Sequence, residues 1–412
     1  MDLDFSGCNT KLFTHGFHKY PAMMIPQIAS ALISEFGQNA SLLFDPYCGT
    51  GTSLVEAKVR GINSIGTDLN PLATLISKVK TTPIELQTLE LHIHDFYNYL
   101  FPFRYKFKSN DHIVVNFPRI DFWFSSDVKV KLSIIKDYIV KLENSDIKDF
   151  FKVALSHTIR ECSFTRNNEF KLYKMSDEQI KSFNPEPFGV MEEILGQNYL
   201  GLKSFTEECN KCKTISKSSI YNFNTVDEIP KDLITENSVD IIVTSPPYGD
   251  SSTTVAYGQF SALSNQWLDL MENGRSLDKY LMGGKRIDES YKFESKVLND
   301  DIESVKKIDC KRVIDVISFY ADYQESIKNI SSVVKHNGYV CYVVSNRNVK
   351  GNILHTDEIT KDFFLQQGFN HINTFYRKIS NKRLPRYNSP KGEVGSKIEL
   401  MNTESIIIMK KK

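Results

Sequence analysis

Short apolar runs alternate with helix-spaced apolar positions near the start of this 412-residue chain. "SLLFD" (41–45) is an apolar run that stops at Pro46. "GTSLVEAKVRG" (51–61) is helix-compatible and closes at Gly61. "NSIGTD" (63–68) is a second short run, ending at Asp68. "NPLATLISKVK" (70–80) opens another helix, with Pro71 near its first turn. Such alternation predicts a parallel sheet joined by crossover helices.

The pattern breaks near Pro83. Val128, Leu132, Ile135 and Ile139 fall at helix spacing, as do Ile147, Phe150, Phe151, Ala154, Leu155 and Ile159. Ser176 precedes Gln179 by three residues, the spacing of a capping box. Sheet-like runs resume at "SSIYNF" (218–223) and "VDIIVT" (239–244). After a polar stretch over 250–312, "VIDVISFYADYQESIKNISSVVKHNG" (313–338) predicts a helix closed by Gly338. "YVCYVVS" predicts a strand, "DEITKDFFLQQG" a helix, and "FNHINTFYRKI" and "ESIIIMK" the last two strands. The expected fold is α/β: a Rossmann-like, doubly wound, mostly parallel sheet with a terminal antiparallel hairpin and an inserted helical subdomain. Residues 1–84 and 216–412 would form the sheet domain. Residues 85–215 would be the helical insertion, and 250–312 a further insertion, either of them a candidate for meeting a partner.

Composition changes this picture little. A hydrophobic share of 41% and a charged share of 25% suit a globular chain. The net charge of +1 gives no global attraction for nucleic acid, so any such contact must be local. Seven cysteines without regular spacing, no hydrophobic signal segment near Met1 and no membrane-length apolar run predict a reduced cytoplasmic protein. "CNKC" (209–212) has zinc-compatible spacing but no second pair, and His15 and His18 lack a cluster to join, so no metal is expected.

"FDPYCGTGTSLVEA" (44–57) places Gly49 and Gly51 at a strand-to-helix turn, where glycine lets backbone approach a ligand. A dinucleotide fingerprint would need a third glycine where Leu54 stands, and a P-loop would need a lysine that is absent. A cofactor with a nucleoside and an amino-acid tail needs a tight turn and an acidic residue ending the next strand. Asp68 is that residue, and S-adenosylmethionine (SAM) is the cofactor that fits; an ordinary packing turn is the alternative.

"TSPPYGD" (244–250) stops the apolar run before it. Pro246 and Pro247 fix φ near −65° and donate no hydrogen bond. Ser245 adds a hydroxyl and Tyr248 a flat ring, together suited to a planar heterocycle with an exocyclic amine. A rigid strand-ending turn with a core tyrosine is the alternative for this segment alone.

Taken together, "TSPPY", "DPYCGTGTSLVEA", "TDLNP" (67–71) and "HKYPA" (18–22) resemble the SAM-dependent DNA amino-methyltransferases, which methylate cytosine N4 or adenine N6. The resemblance covers roughly residues 10–80 and 215–412. It implies that Ser245 and the Pro246 carbonyl hold the target amine while Pro247 stiffens the loop and Tyr248 stacks on the base. It places Tyr20, Pro21 and Ala22 near the methionine end of SAM. Asp45, Tyr47, Cys48, Gly49 and Thr50 would surround that end, with Gly51, Thr52 and Ser53 opening the helix. Asp68, Leu69 and Asn70 would take the ribose, and Thr244 would complete the cofactor side. Asn224 stands where family members often carry an Asp for the adenine amine. A Ser before Pro-Pro-Tyr is more typical of cytosine-N4 enzymes, an Asp of adenine-N6 enzymes. The expected partner is double-stranded DNA, with a cognate restriction endonuclease as a second candidate and no membrane; oligomeric state is left open. Adenine-N6 methylation, RNA amino-methylation and a catalytically silent SAM- and DNA-binding module are the rival functions.

Three basic stretches could meet DNA. "RKISNKRLPRYNSPKGEVGSK" (377–397) holds seven Lys/Arg against one Glu and reads as a phosphate-tracking or merely solvated loop. "FRYKFK" (103–108) reads as an amphipathic strand or a stacking surface. "SFTRNNEFKLYK" (163–174) could line the DNA cleft.

Overall fold

The computed structural model describes the chain apart from residues 1–2, 106–113, 167–168, 251–253, 272–273, 289, 380–386, 389–397 and 400–402. Its strands are β1 (Leu42–Asp45), β2 (Asn63–Thr67), β3 (Ser218–Tyr221), β4 (Val239–Thr244), β5 (Val334–Val344), β6 (Arg347–Val349), β7 (Asn352–Leu354), β8 (Phe369–Lys378), β9 (Tyr387–Asn388), β10 (Ile398–Glu399) and β11 (Thr403–Lys411). Before β3 come helices α1 (Pro26–Phe36), α2 (Thr52–Lys58), α3 (Pro71–Thr81), α4 (Leu86–Tyr105), α5 (Ile120–Trp123), α6 (Ser126–Lys141), α7 (Ser145–Cys162), α8 (Asp177–Ser182) and α9 (Pro187–Cys209). After β4 come α10 (Tyr257–Trp267), α11 (Lys296–Lys306), α12 (Cys310–Val333) and α13 (Thr356–Gln366).

One seven-stranded sheet runs in the order β3-β2-β1-β4-β5-β11-β8. β1 to β5 pair in parallel, and β11 lies antiparallel between β5 and β8. The chain winds outward one way through β2 and β3, then the other way through β4 and β5. The order therefore reverses between β1 and β4, and sheets of this kind hold ligands beyond the strand ends at such a point.

Both faces are covered, so the central strands carry continuous apolar runs. Ile241 and Val243 of β4 face α1 and α2, with Leu43 beside them. Ile242 points the other way, into the cluster built on α12 and α13. Ile406 and Ile408 of β11 take the first face, Ile407 and Met409 the second.

α4, α5, α6, α7 and α9 share one hydrophobic cluster with α3 and α10. α7 is its centre, burying Phe150, Phe151, Leu155 and Ile159 against α3, α9 and α10. Ser176 and Gln179 form the expected capping box at α8.

Three expectations need correction. The helix predicted to close at Gly338 ends at Val333, and β5 begins at Val334. The register of β4 against β5 shifts between Val239 and Ile241, with Asn337 at φ +64°. Gly338 serves that irregularity: a Cβ there would crowd Val334 and the Asp240 carbonyl. Second, Phe103–Tyr105 end α4 rather than starting a strand, and residues 106–108 lie outside the described residues. Third, the polar stretch 250–312 contains α10 and α11. α10 is hidden from a periodicity reading because its buried face mixes Phe260, Leu263 and Trp267 with Ser261, Ser264 and Asn265. Among the described residues, no helix is long and apolar enough to cross a membrane.

Candidate active site

β1 and β4 end side by side, and a cleft opens beyond them. It spans about 970 Å³ counted out to open solvent. Each of its walls follows from local chemistry.

The wall after β1 is a backbone turn. Cys48 N donates to Thr67 O at 3.0 Å, and Gly51 N to Cys48 O at 2.7 Å. Gly49 has φ +48° and Gly51 φ +76°, the left-handed region that glycine enters without cost. A Cβ on Gly49 would meet open space, so this backbone faces the cleft; one on Gly51 would collide with Ser77 Oγ.

Asp68 ends β2 and points back at that turn. Its carboxylate accepts from Gly49 N at 3.1 Å and Asn70 N at 2.8 Å. Burial outweighs these donors and pushes Asp68 up to about 6. Asp45 is likewise pushed up to about 6 by burial, although Thr244 Oγ1 donates to it at 2.6 Å. That bond ties the end of β1 to the end of β4.

Asn70 caps α3 by accepting from Leu72 N at 3.1 Å. Its amide donates to Tyr20 Oη at 2.8 Å and Ser261 Oγ at 3.0 Å. Tyr20 in turn stacks on Tyr257, centroids 6.0 Å apart and planes at 19°. Ala22, in the same segment, sits at φ +53°, a strained conformation for a residue with a Cβ.

The expected residues are largely brought together. Tyr20, Pro21 and Ala22 line the cleft, as do Asp45, Tyr47, Cys48, Gly49, Thr50 and Thr52. So do Asp68, Leu69, Asn70, Asn224, Ser245 and Pro247. Gly51, Ser53, Thr244, Pro246 and Tyr248 support it without lining it. The side-chain oxygen Asn224 Oδ1 accepts from Val226 N at 3.1 Å, closing its own turn. Tyr248 Oη lies 3.1 Å from both Ser245 Oγ and Glu404 Oε1.

Sequence reasoning missed Met23, Phe223, Tyr257, Leu281 and Met282, all on the cleft wall. It also missed Glu404 and Arg347, which hold the 245–250 loop from behind, and it misassigned Arg377: expected in a basic stretch that could meet DNA, Arg377 is buried and paired with Glu404. Arg347 Nη2 donates to Asp250 Oδ2 at 2.6 Å, and Gly249 packs on that guanidinium. His15 Nε2 donates to Glu56 Oε1 at 3.0 Å, and His18 packs buried against His157 and Phe260. Among the described residues no group of three or more His, Cys, Asp or Glu could hold a metal.

The helical block carries a surface of cations and rings. Arg119 and Lys174 both sit over the exposed Phe122 ring, at 4.5 and 4.3 Å from its centre. Leu172 N donates to Gln259 Oε1 of α10 at 3.4 Å, which ties this surface to the helix whose first residue is Tyr257. Most of 377–397 lies outside the described residues.

The donor set fits SAM. A glycine backbone faces open space, a half-buried carboxylate stands just after β2, and aromatic rings flank both. Sheet order and cleft together define a Rossmann-like SAM-dependent methyltransferase. Comparison with known proteins narrows this. The family described as UPF0020, RMKL-like methyltransferase domain, matches residues 17–93. The Type II methyltransferase M.MvaI of Kocuria varians is 40% identical over 433 aligned residues, covering 99% of this chain and 93% of that protein. M.BsoBI of Geobacillus stearothermophilus is 24% identical over 258 residues, 57% of this chain and 49% of that one. The rRNA methyltransferase aviRa from Streptomyces viridochromogenes, 9% identical with 100% and 94% of the two chains covered, superposes at a TM-score of 0.35, too loosely to bear on the assignment. The chain belongs to the Type II DNA methyltransferases, with M.MvaI as its full-length relative.

Proposed function

We propose that this protein methylates the exocyclic N4 amine of cytosine at specific sites in duplex DNA. One observation carries the reading: Ser245 and Pro247, at the end of β4, line the same cleft as Asp68 and Gly49. A serine before Pro-Pro-Tyr favours cytosine, and the similarity to M.MvaI favours DNA.

SAM supplies an electrophilic methyl group. Asp68 accepts from its ribose hydroxyls, and the backbone at Gly49 and Gly51 leaves room for its methionine part. Tyr20 to Ala22, Asp45 to Thr50, Thr52, Leu69, Asn70 and Asn224 complete that wall. Ser245 Oγ and the Pro246 carbonyl accept the amine hydrogens, which directs the nitrogen lone pair along the transfer axis. They also stabilise positive charge as it develops on nitrogen. Positioning of this kind is worth about 7–11 kcal/mol. The Tyr248 ring stacks on the base, which must leave the duplex at a cost of a few kcal/mol.

Arg119, Phe122, Tyr173 and Lys174 form the DNA-facing surface, their cations meeting phosphates beside the cleft. The helical block 85–215 thus shares recognition with the catalytic domain formed by 1–84 and 216–412. The protein acts in the cytoplasm beside a restriction endonuclease of the same specificity.

The test is mass spectrometry of nucleosides after incubation with labelled SAM and unmethylated genomic DNA, with bulk RNA in parallel. Labelled N4-methylcytosine is expected. Labelled N6-methyladenine would reassign the base, and label only in RNA would reassign the substrate. Tight SAM binding without label would make the chain a silent binding module.

A further inference from the structure

Side chains from the far edge of the sheet hold the loop after β4. Glu404 of β11 accepts from Tyr248 through Oε1 at 3.1 Å. Through Oε2 it pairs with Arg377 Nη1 of β8 at 2.6 Å, the two side chains only 15% and 7% exposed. A carboxylate in an ion pair only accepts hydrogen bonds, and a guanidinium only donates them. Tyr248 must therefore give its one proton to Glu404. Burial, and then the Glu404 charge, push this phenol well above its ordinary value, so the proton stays. The Tyr248 oxygen can then meet Ser245 Oγ, 3.1 Å away, only as an acceptor. Ser245 spends its own single proton on that bond, and its lone pairs are left for the cleft.

We propose that Glu404, anchored by Arg377, is a positioning residue that sets the direction of hydrogen bonding through Tyr248, so that Ser245 meets the substrate amine as an acceptor only. The inference rests on the reading of Ser245 as the amine's acceptor. An exocyclic amine offers two protons. A serine free to rotate would at times turn its own proton toward them, an arrangement of donor against donor. Fixing the hydroxyl removes that arrangement before the substrate arrives.

Glu404→Gln probes direction at constant shape. The glutamine carbonyl would face Arg377, which only donates, and its NH2 would face Tyr248. Tyr248 would then donate to Ser245, whose proton would turn into the cleft. Tyr248→Phe merely releases Ser245. Single-turnover transfer from SAM to unmethylated genomic DNA should fall about a hundredfold in E404Q and about tenfold in Y248F. SAM affinity should be unchanged in both. The double variant should match Y248F, so the second substitution restores rate to E404Q. A double variant as slow as E404Q, or slower, overturns the inference. Should E404Q not fold, Y248F carries the test, and a wild-type rate in it overturns the inference. Ser245→Ala separates the two levels: a wild-type rate there removes the underlying reading of the site, whatever Glu404 does.

Discussion

The loops after β1 and β4 face each other across one cleft, yet they are held by opposite means. The first is rigid from within. Cys48, Gly51 and Thr67 bond through backbone, and Gly51 adopts a φ of +76°. The second is held from outside. Tyr248 is bound by Glu404, 156 positions along the chain, Asp250 by Arg347, 97 positions along, and Thr244 by Asp45, 199 positions back. A cofactor wall needs a shape, which backbone fixes with one carboxylate, Asp68, bracing Gly49. An amine site needs a direction for each proton, and only side chains with chosen donors and acceptors supply that.

The contrast can be broken first at the second loop. Ser245→Ala should slow single-turnover transfer by about a hundredfold and leave the melting temperature and SAM affinity near wild type. The first loop should respond in the other way. Gly51→Ala forces a Cβ against Ser77 Oγ in the left-handed region, a conformational strain of about 1–3 kcal/mol before the collision is added. The expected result is a lower melting temperature together with weaker SAM binding. Adding Ser77→Ala should recover the collision but not the conformational cost; full recovery would show that the φ angle is irrelevant.

Thr244→Val tests the bond that joins the loops. Asp45 would lose a donor in a buried site, at about 1–3 kcal/mol of stability, read by urea denaturation. An unchanged midpoint would mean that the loops are not coupled there.

The smallest effect sharpens the cofactor side. Asp68 and Asp45 stand at about 6 because burial disfavours their charge. Ribose hydroxyls need the ionised form of Asp68. SAM affinity measured by calorimetry should be level above pH 7 and fall by up to about tenfold per unit below about 6. Asp68→Asn should weaken binding and reduce that slope. The sign for the unliganded fold is the reverse. Between about 4 and 6 the native state holds protons that the unfolded chain has released, so these groups lower stability as pH rises through that window.

The same contrast explains what the sequence made legible. Gly49, Gly51 and Asp68 could be read because their signal is local: a strand, a turn and an acidic residue within a short span. Ser245 and Pro247 could be read because two prolines end an apolar run. Glu404 could not, since nothing marks it in its own segment, and Arg377 was masked by the basic stretch it opens; register between β11 and β8 brings them together. α10 escaped because buried serines and Asn265, bonded to Tyr257, Ser156 and Asn70, replace the apolar periodicity that betrays most buried helices. The end of α12 was misplaced because Gly338 looks like a cap when read alone, and its true partner is β4.

β11 is the last strand of the sheet in chain order, and it slots between two made before it. During synthesis the nascent chain can complete the cofactor turn long before Glu404 leaves the ribosome. Methylating competence would thus wait for β11 to join the sheet. Until β11 has paired, the loop after β4 lacks the carboxylate that holds Tyr248.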